Sequence, residues 1–255
     1  MNAAPTTPPT ATGIPVAIRN LRKSFGDQLV LKDLSLDIRA GEIFVLMGPS
    51  GSGKSVFLRH LIGLEAPEAG EIRIGGELAT SETVGEKYRL AMVFQSGGLL
   101  NSLTVAENVG LYLSEHRLKP RDEIARIVAE KLALVELEPA VAVKFPSELS
   151  GGMRKRVAIA RALVTEPQLI LFDEPTSELD PLVALTIGRE ILNLNQRTGA
   201  TTVVVTHDRD LAFGIADRIA FLNEGGIVAL GTPAEVRAVR HPLLQQFLAA
   251  DFKPQ

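Results

Sequence analysis

Gly48-Pro49-Ser50-Gly51-Ser52-Gly53-Lys54-Ser55 fits G-x-x-x-x-G-K-[ST], the phosphate-cradling P-loop pattern. A near-continuous apolar run, residues 42–47, precedes it and reads as a buried parallel strand. A helical stretch from 54 to about 64 follows. The glycines let backbone N–H groups turn inward, and the helix start adds free N–H groups and the positive end of its dipole. In this pattern Lys54 reaches the terminal phosphates and Ser55 ligates Mg²⁺. Strand, loop and helix in that order predict an α/β domain built on a mainly parallel sheet.

Working outward, residues 168–172 and 201–206 are further short apolar runs, each preceded by a helical stretch (152–164 and 181–197). Val183, Ile187 and Ile191 make one apolar stripe of the second of these helices. Strands are predicted at 16–21, 29–38, 71–74 and 90–94. Residues 103–135 carry helical periodicity, with Ile124, Ile127, Val128 and Leu132 on one face. A hairpin is predicted over 218–223 and 226–230 around Glu224-Gly225, then short helices at 233–240 and 243–250. Leu243, Leu244, Phe247 and Leu248 form a stripe expected to pack on the chain's own domain.

The strand ending at Phe172 delivers Asp173 and Glu174 at its carboxyl end, where ligands sit in open α/β sheets. Asp173 is placed to hold Mg²⁺, and Glu174 to orient or deprotonate an attacking water.

Composition bounds the rest. The 255 residues carry 27 Lys+Arg against 30 Asp+Glu, a net charge of −3 that argues against a nucleic-acid binder. There is no cysteine, hence no disulfide framework or thiolate chemistry. No apolar run approaches the roughly 20 residues of a spanning helix. Residues 1–14, rich in Pro, Thr and Ala, lack a signal-peptide pattern and read as a disordered tail. The expected location is the cytoplasm, with any membrane role exercised through a partner.

Leu149-Ser150-Gly151-Gly152-Met153, with the basic helical run Arg154-Lys155-Arg156 behind it, forms a second anion site. Ser150 and the Gly151 and Gly152 amides cap a helix start. This segment closely resembles the signature of ABC ATPases and lies, as in that family, between the P-loop and the Asp173 strand. The resemblance runs from about 16 to 240. It implies a P-loop NTPase of ABC type: a mainly parallel core, an antiparallel β subdomain and an inserted helical subdomain at about 96–155. The cassette would span 15–240, followed by a helical extension, 241–255. It further implies ATP with Mg²⁺, and a head-to-tail dimer with a second copy, Ser150, Gly151 and Gly152 meeting the γ-phosphate held by the partner. It places Gln95 as a Mg²⁺ or water contact that senses a permease, Asp180 in the D-loop Ser177-Glu178-Leu179-Asp180, His207 near the γ-phosphate, and Phe25 stacked on adenine. Met153, where Gln is common, and Glu178, where a small residue is common, depart from the pattern.

Phe94-Gln95-Ser96-Gly97-Gly98-Leu99-Leu100, Leu113-Ser114-Glu115-His116 and Pro146–Met153 resemble the Mla/Mce-type lipid-transport ATPases, Met153 included. That likeness implies a transmembrane permease, an Mce-domain lipid-binding protein, and a phospholipid cargo. The alternatives are an ATPase of an amino-acid or ion importer, or a coupling module signalling to cell-wall enzymes. A soluble ABC protein of DNA repair or translation would usually carry two cassettes or a long coiled-coil insertion, and this sequence has neither.

Overall fold

The computed structural model describes residues 13–80, 84 and 87–249. Two strands, β1 (Val16–Phe25) and β2 (Gln28–Ile38), open the chain as an antiparallel pair, and β4 (Ala69–Ile74) and β5 (Glu77–Leu78) complete a sheet of order β2-β1-β4-β5. β1 runs past the predicted end at Leu21. Its pairing with β2 shifts register after Ile18, around Asn20 at φ 50°, whose N–H donates to Ser35 Oγ at 2.8 Å. The bulge breaks the two-residue alternation that marks a strand in sequence.

Between these elements lie β3 (Ile43–Met47) and α1 (Lys54–Leu61). α1 ends three residues short of the predicted boundary. Gly63 at φ 73° leaves the helical region, and the Leu64 N–H bonds back to the Arg59 carbonyl, a C-terminal capping arrangement.

β6 (Leu90–Val93) leads into the helical portion, α2 (Val105–Glu115) and α3 (Arg121–Leu134). The predicted helical stretch 103–135 is thus two helices, separated by Arg117 at φ 50° and by Pro120, which cannot continue a helix. Thr104 and Glu107 form a capping box that starts α2. α4 (Gly151–Leu163), β7 (Leu169–Asp173), α5 (Pro181–Thr198) and β8 (Thr201–Thr206) alternate as expected, and α6 (Arg209–Ile215) follows. β9 (Arg218–Asn223) and β10 (Gly226–Gly231) form the hairpin, with Glu224 and Gly225 both at positive φ, as a two-residue primed turn requires. α7 (Pro233–Ala238) and α8 (Pro242–Ala249) follow.

The six-stranded sheet has order β10-β9-β3-β8-β7-β6, parallel except at β10. β3 is buried on both faces: Val45 and Met47 join the core under the helices, whereas Phe44 and Leu46 join the core shared with the antiparallel sheet. That explains the unbroken apolar runs in the sequence. Met47 pairs with Thr206, and Asp173 with Val205, so three strand ends finish side by side.

Residues 1–12 of the expected tail lie outside the described residues, but Gly13 and Ile14 are anchored. Gly13 N–H donates to the Gly199 carbonyl at 2.9 Å, and the buried Ile14 accepts from Thr201 Oγ1 at 2.7 Å. The apolar stripe of α8 packs on its own domain, with Leu244 fully buried and Phe247 edge-on to Phe221 at 5.1 Å.

Candidate active site

The site stands at the carboxyl ends of β3, β8 and β7. Gly48 turns the chain out of β3 with no room for a side chain: a Cβ there would lie 2.1 Å from the Leu222 carbonyl. Gly51 (φ 79°) and Gly53 (φ 106°) take conformations that favour glycine. The first helical bond of α1 is Phe57 N–H to Gly53 O at 2.9 Å, so the amides of Lys54, Ser55 and Val56 are not consumed by the helix. Lys54 Nζ is buried. It donates to the Gly48 and Pro49 carbonyls at 2.9 and 3.0 Å and lies 3.6 Å from Glu174 Oε1. Burial lowers its pKa, and the Glu174 charge opposes that shift. Ser50 is exposed, whereas Ser52 Oγ is buried and, among the described residues, has no hydrogen-bond partner.

Ser55 Oγ donates to Asp173 Oδ1 at 3.2 Å, across 118 residues of sequence. Burial pushes the Asp173 carboxyl above its ordinary value, the Ser55 hydroxyl pulling the other way. Glu174, at φ 45°, hangs from Val205 through its N–H. Its Oε2 accepts from Thr206 Oγ1 at 3.0 Å and from the His207 N–H at 3.2 Å, and lies 2.9 Å from His207 Nδ1. Lys54, Ser55, Asp173, Glu174 and His207 therefore converge. Gln95 is exposed after β6, and among the described residues its side chain has no hydrogen bond to Ser55 or Asp173. Phe25 is exposed at the end of β1 with Lys23 Nζ over its ring at 5.2 Å.

The donor set suits a nucleoside triphosphate with Mg²⁺. It offers inward amides, an unpartnered buried hydroxyl, one buried ammonium, and the Ser55–Asp173 oxygen pair for a hard cation. Among the described residues no group of three or more His, Asp or Glu side chains could hold a metal ion by itself. An ion here would rely on phosphate and water oxygens, as Mg²⁺ commonly does.

The signature segment sits elsewhere on the chain. Ser150 Oγ accepts from the Met153 N–H at 3.2 Å and caps α4. A Cβ on Gly152 would meet Val183 at 2.6 Å, and one on Gly151 would meet Leu179 at 3.2 Å, so both glycines have a packing reason. Asp180 Oδ1 accepts from the Leu182 and Val183 amides at 3.0 Å and caps α5, which adds a structural role to the predicted nucleotide contact. Among the described residues no hydrogen bond or ion pair joins Ser150, Gly151, Gly152 or Asp180 to the P-loop.

Comparison with known proteins agrees with this geometry. A family model described as "ABC transporter" matches residues 31–177. This chain belongs to the ABC transporter family. It is the ATP-binding subunit of an ABC transporter, an ATPase whose ligands are ATP and Mg²⁺. It is 42% identical over 240 residues to the "Probable ribonucleotide transport ATP-binding protein mkl" of Mycobacterium leprae, covering 92% of this chain and 69% of that protein. It is 44% identical over 224 residues to the "Sulfate/thiosulfate import ATP-binding protein CysA" of Caulobacter vibrioides, covering 87% of this chain and 66% of that one. Among solved structures, the ATP-binding cassette MJ0796, dimeric and bound to ADP and Pi, superposes with TM-score 0.75 at 36% identity, covering 86% of this chain and 98% of that one. cbiO1 from Clostridium perfringens gives TM-score 0.80 at 28% identity, covering 92% and 95%.

Sequence reasoning missed Lys155, Arg161 and Asn108 in this ABC ATPase. Lys155 Nζ donates to the Gln95 and Glu174 carbonyls, and Arg161 holds the Gly97 and Gly98 carbonyls at 2.9 and 2.6 Å. Asn108, fully buried, accepts from the Leu100 N–H and donates to the Leu100, Leu103 and Thr104 carbonyls. An Asn on an otherwise apolar helix face was the one readable signal.

Proposed function

We propose that this ATPase hydrolyses ATP as a head-to-tail pair with a second copy and drives a transmembrane permease that moves phospholipid together with an Mce-domain lipid-binding protein. The observation that carries the catalytic part is the convergence of Ser55 with Asp173, and of Lys54 and His207 on Glu174. Lys54 and the free N–H groups at the start of α1, those of Lys54, Ser55 and Val56, bind the phosphates, with the loop 48–55 wrapped around them. Phe25 stacks on the adenine. Ser55 and Asp173, with Gln95, hold Mg²⁺, which neutralises charge on the transferring phosphoryl group. Glu174 takes the proton of the attacking water, and Thr206 and His207 hold its carboxylate in place. Ser150, Gly151, Gly152 and Asp180 serve the nucleotide on the partner copy, a reading that rests on the likeness to the ABC signature; among the described residues Ser150 and Asp180 cap helices of their own chain.

No helix among the described residues is long and apolar enough to cross a membrane, so the membrane role is assigned to the permease, with this subunit on the cytoplasmic face. Phe94 and Leu100, both exposed large apolar residues flanking the Gln95 loop, suit a surface that receives it. The lipid reading rests on the segment 94–100 and on Met153. A second reading, import of a small solute, is favoured by the relatives named for ribonucleotide transport and sulfate import.

Co-purification from native membranes with Glu174→Gln and ATP separates them, with bound proteins and lipids identified by mass spectrometry. A permease with an Mce-domain protein and phospholipid supports the lipid reading. A permease with another solute-binding protein, or with a cell-wall regulator, discards it and leaves the ATPase standing.

A further inference from the structure

Lys155 stands in a run of three basic residues, Arg154-Lys155-Arg156, yet is only 6% exposed. A buried ammonium must be compensated by acceptors or opposite charge. Lys155 has both. Its Nζ donates to the Gln95 carbonyl and, at 3.3 Å, to the Glu174 carbonyl. Glu178, Asp173 and Glu174 supply the facing negative charge. Its two acceptors belong to loops that leave different strands: Gln95 follows β6, and Glu174 follows β7.

The same helix grips the Gln95 loop again, through Arg161 and the carbonyls of Gly97 and Gly98, both glycines at positive φ. A Cβ on Gly97 would meet Ala158 and the Arg154 carbonyl at 3.6 Å, so this loop lies along α4. α4 itself begins at the signature residues capped by Ser150. One helix thus carries the signature at its start, the Gln95 loop along its side, and a bond to the backbone of Glu174.

We infer that Lys155 is a positioning residue for ATP hydrolysis: through the Gln95 and Glu174 carbonyls it ties the loop after β6 to the backbone that aims the Glu174 carboxylate. Displacement of α4 or of the Gln95 loop is thereby transmitted to the residue that activates water. This inference rests on the proposed role of Glu174. Glu174 is held in the left-handed region, so its carboxylate direction depends on how its backbone is anchored; Lys155 and Ser177 Oγ, the latter at 2.9 Å, both donate to that carbonyl.

The test uses the full chain as wild type, Lys155→Met, Lys155→Arg and Glu174→Gln, with steady-state ATP hydrolysis and equilibrium ATP binding measured on each. Lys155→Met is expected to lower kcat about 10- to 100-fold, the size of effect that misplacing a catalytic group by a fraction of an ångström to an ångström produces. Its ATP dissociation constant should stay within about twofold, since among the described residues Lys155 bonds to the Gln95 and Glu174 carbonyls and not to the P-loop. Lys155→Arg keeps donors for both carbonyls and should recover most of the rate. If Lys155→Met does not fold, Lys155→Gln, with one donor amide, carries the same comparison. Wild-type kcat in Lys155→Met beside an inactive Glu174→Gln overturns the inference and spares the Glu174 reading. So does an equal loss of rate and ATP affinity, or an Arg variant as slow as the Met one. A Glu174→Gln protein with near-normal turnover removes the Glu174 reading, and the inference with it.

Discussion

Glu174→Gln changes one atom of the site and tests its chemistry. The substituted side chain keeps an oxygen that can accept from Thr206 Oγ1 and the His207 N–H, bonded in the wild type at 3.0 and 3.2 Å. It loses the negative charge that faces Lys54 at 3.6 Å. Lys54 retains the Gly48 and Pro49 carbonyls as acceptors, so the stability cost measured without added ATP should be about 1–3 kcal/mol, that of weakening a bond to a charged group. ATP binding should survive, because its phosphates replace Glu174 as the anion beside Lys54. Hydrolysis should not survive. The neighbouring carboxylate, Asp173, is turned to Ser55 and is assigned to Mg²⁺, so it is not expected to replace Glu174 as the base. Loss of a general base costs about 10²–10⁴-fold, and at about 1.36 kcal/mol per decade this raises the barrier by about 2.7–5.4 kcal/mol. Phosphate release at saturating Mg·ATP, alongside equilibrium binding of ATP, reads both quantities. Turnover within about threefold of wild type, a barrier change under 1 kcal/mol, would refute the assignment of Glu174 as the base.

Three further outcomes follow from the packing and titration of the chain. Gly48→Ala puts a Cβ 2.1 Å from the Leu222 carbonyl, forcing β3 from β9; urea denaturation should show a loss of about 1–3 kcal/mol or more, with ATP binding lost in the surviving fold. Asn108→Ala leaves the Leu100 N–H and three carbonyls without their side-chain partner at a buried position, costing about 1–3 kcal/mol in the same assay with the ATP dissociation constant unchanged. Glu190 is pushed up to about 7 from 4.5, mainly by burial, although Arg156 Nη2 stands 2.7 Å away in an orientation that makes no hydrogen bond. Its raised folded value means that ionisation penalises the fold. The penalty is absent below about pH 4.5, grows as pH rises to about 7, and is complete above, at about 3 kcal/mol. Glu190→Gln should flatten the stability–pH curve across that window, and an unchanged slope in urea melts at several pH values would contradict it.

The parts of the fold that could be read in the sequence are those whose cause is local. β3, β7 and β8 are buried on both faces and so appear as unbroken apolar runs, and the P-loop announces itself through its glycine spacing, with Gly48 in a place too tight for a side chain and Gly51 and Gly53 at positive φ. Asp180-Pro181 also reads locally as a helix start, with Asp as cap and Pro at the first helical position. The break between α2 and α3 was visible in Pro120 but was overridden by the periodicity on either side. What could not be read depends on long-range packing. β1 continues past a bulge whose partner, Ser35, is fifteen residues away. Lys155 reads as one more solvated charge between two arginines; only the loops folded over it from β6 and β7 make it buried. The second sheet edge of the site, Thr206 beneath Glu174, required the β7–β8 pairing to be known.

The packing of the two helix starts bears on how one copy would serve another. Gly152 lies against Val183, Gly151 against Leu179, and Asp180 caps the helix that bears Val183. The start of α4 and the loop before α5 are therefore one packed unit, in which a side chain at Gly152 would clash with Val183 and one at Gly151 would press on the end of Leu179. A side chain at Gly152 would have to displace Val183 before it touched any nucleotide. In the proposed head-to-tail pair, such a unit would present Ser150 and Asp180 together to the partner's ATP. The same unit is joined through Lys155 to the backbone of Glu174 in its own site. In the proposed pair the contacts on the two sides of one chain would be linked through Lys155, so that closing the interface at one nucleotide would bear on the carboxylate at the other.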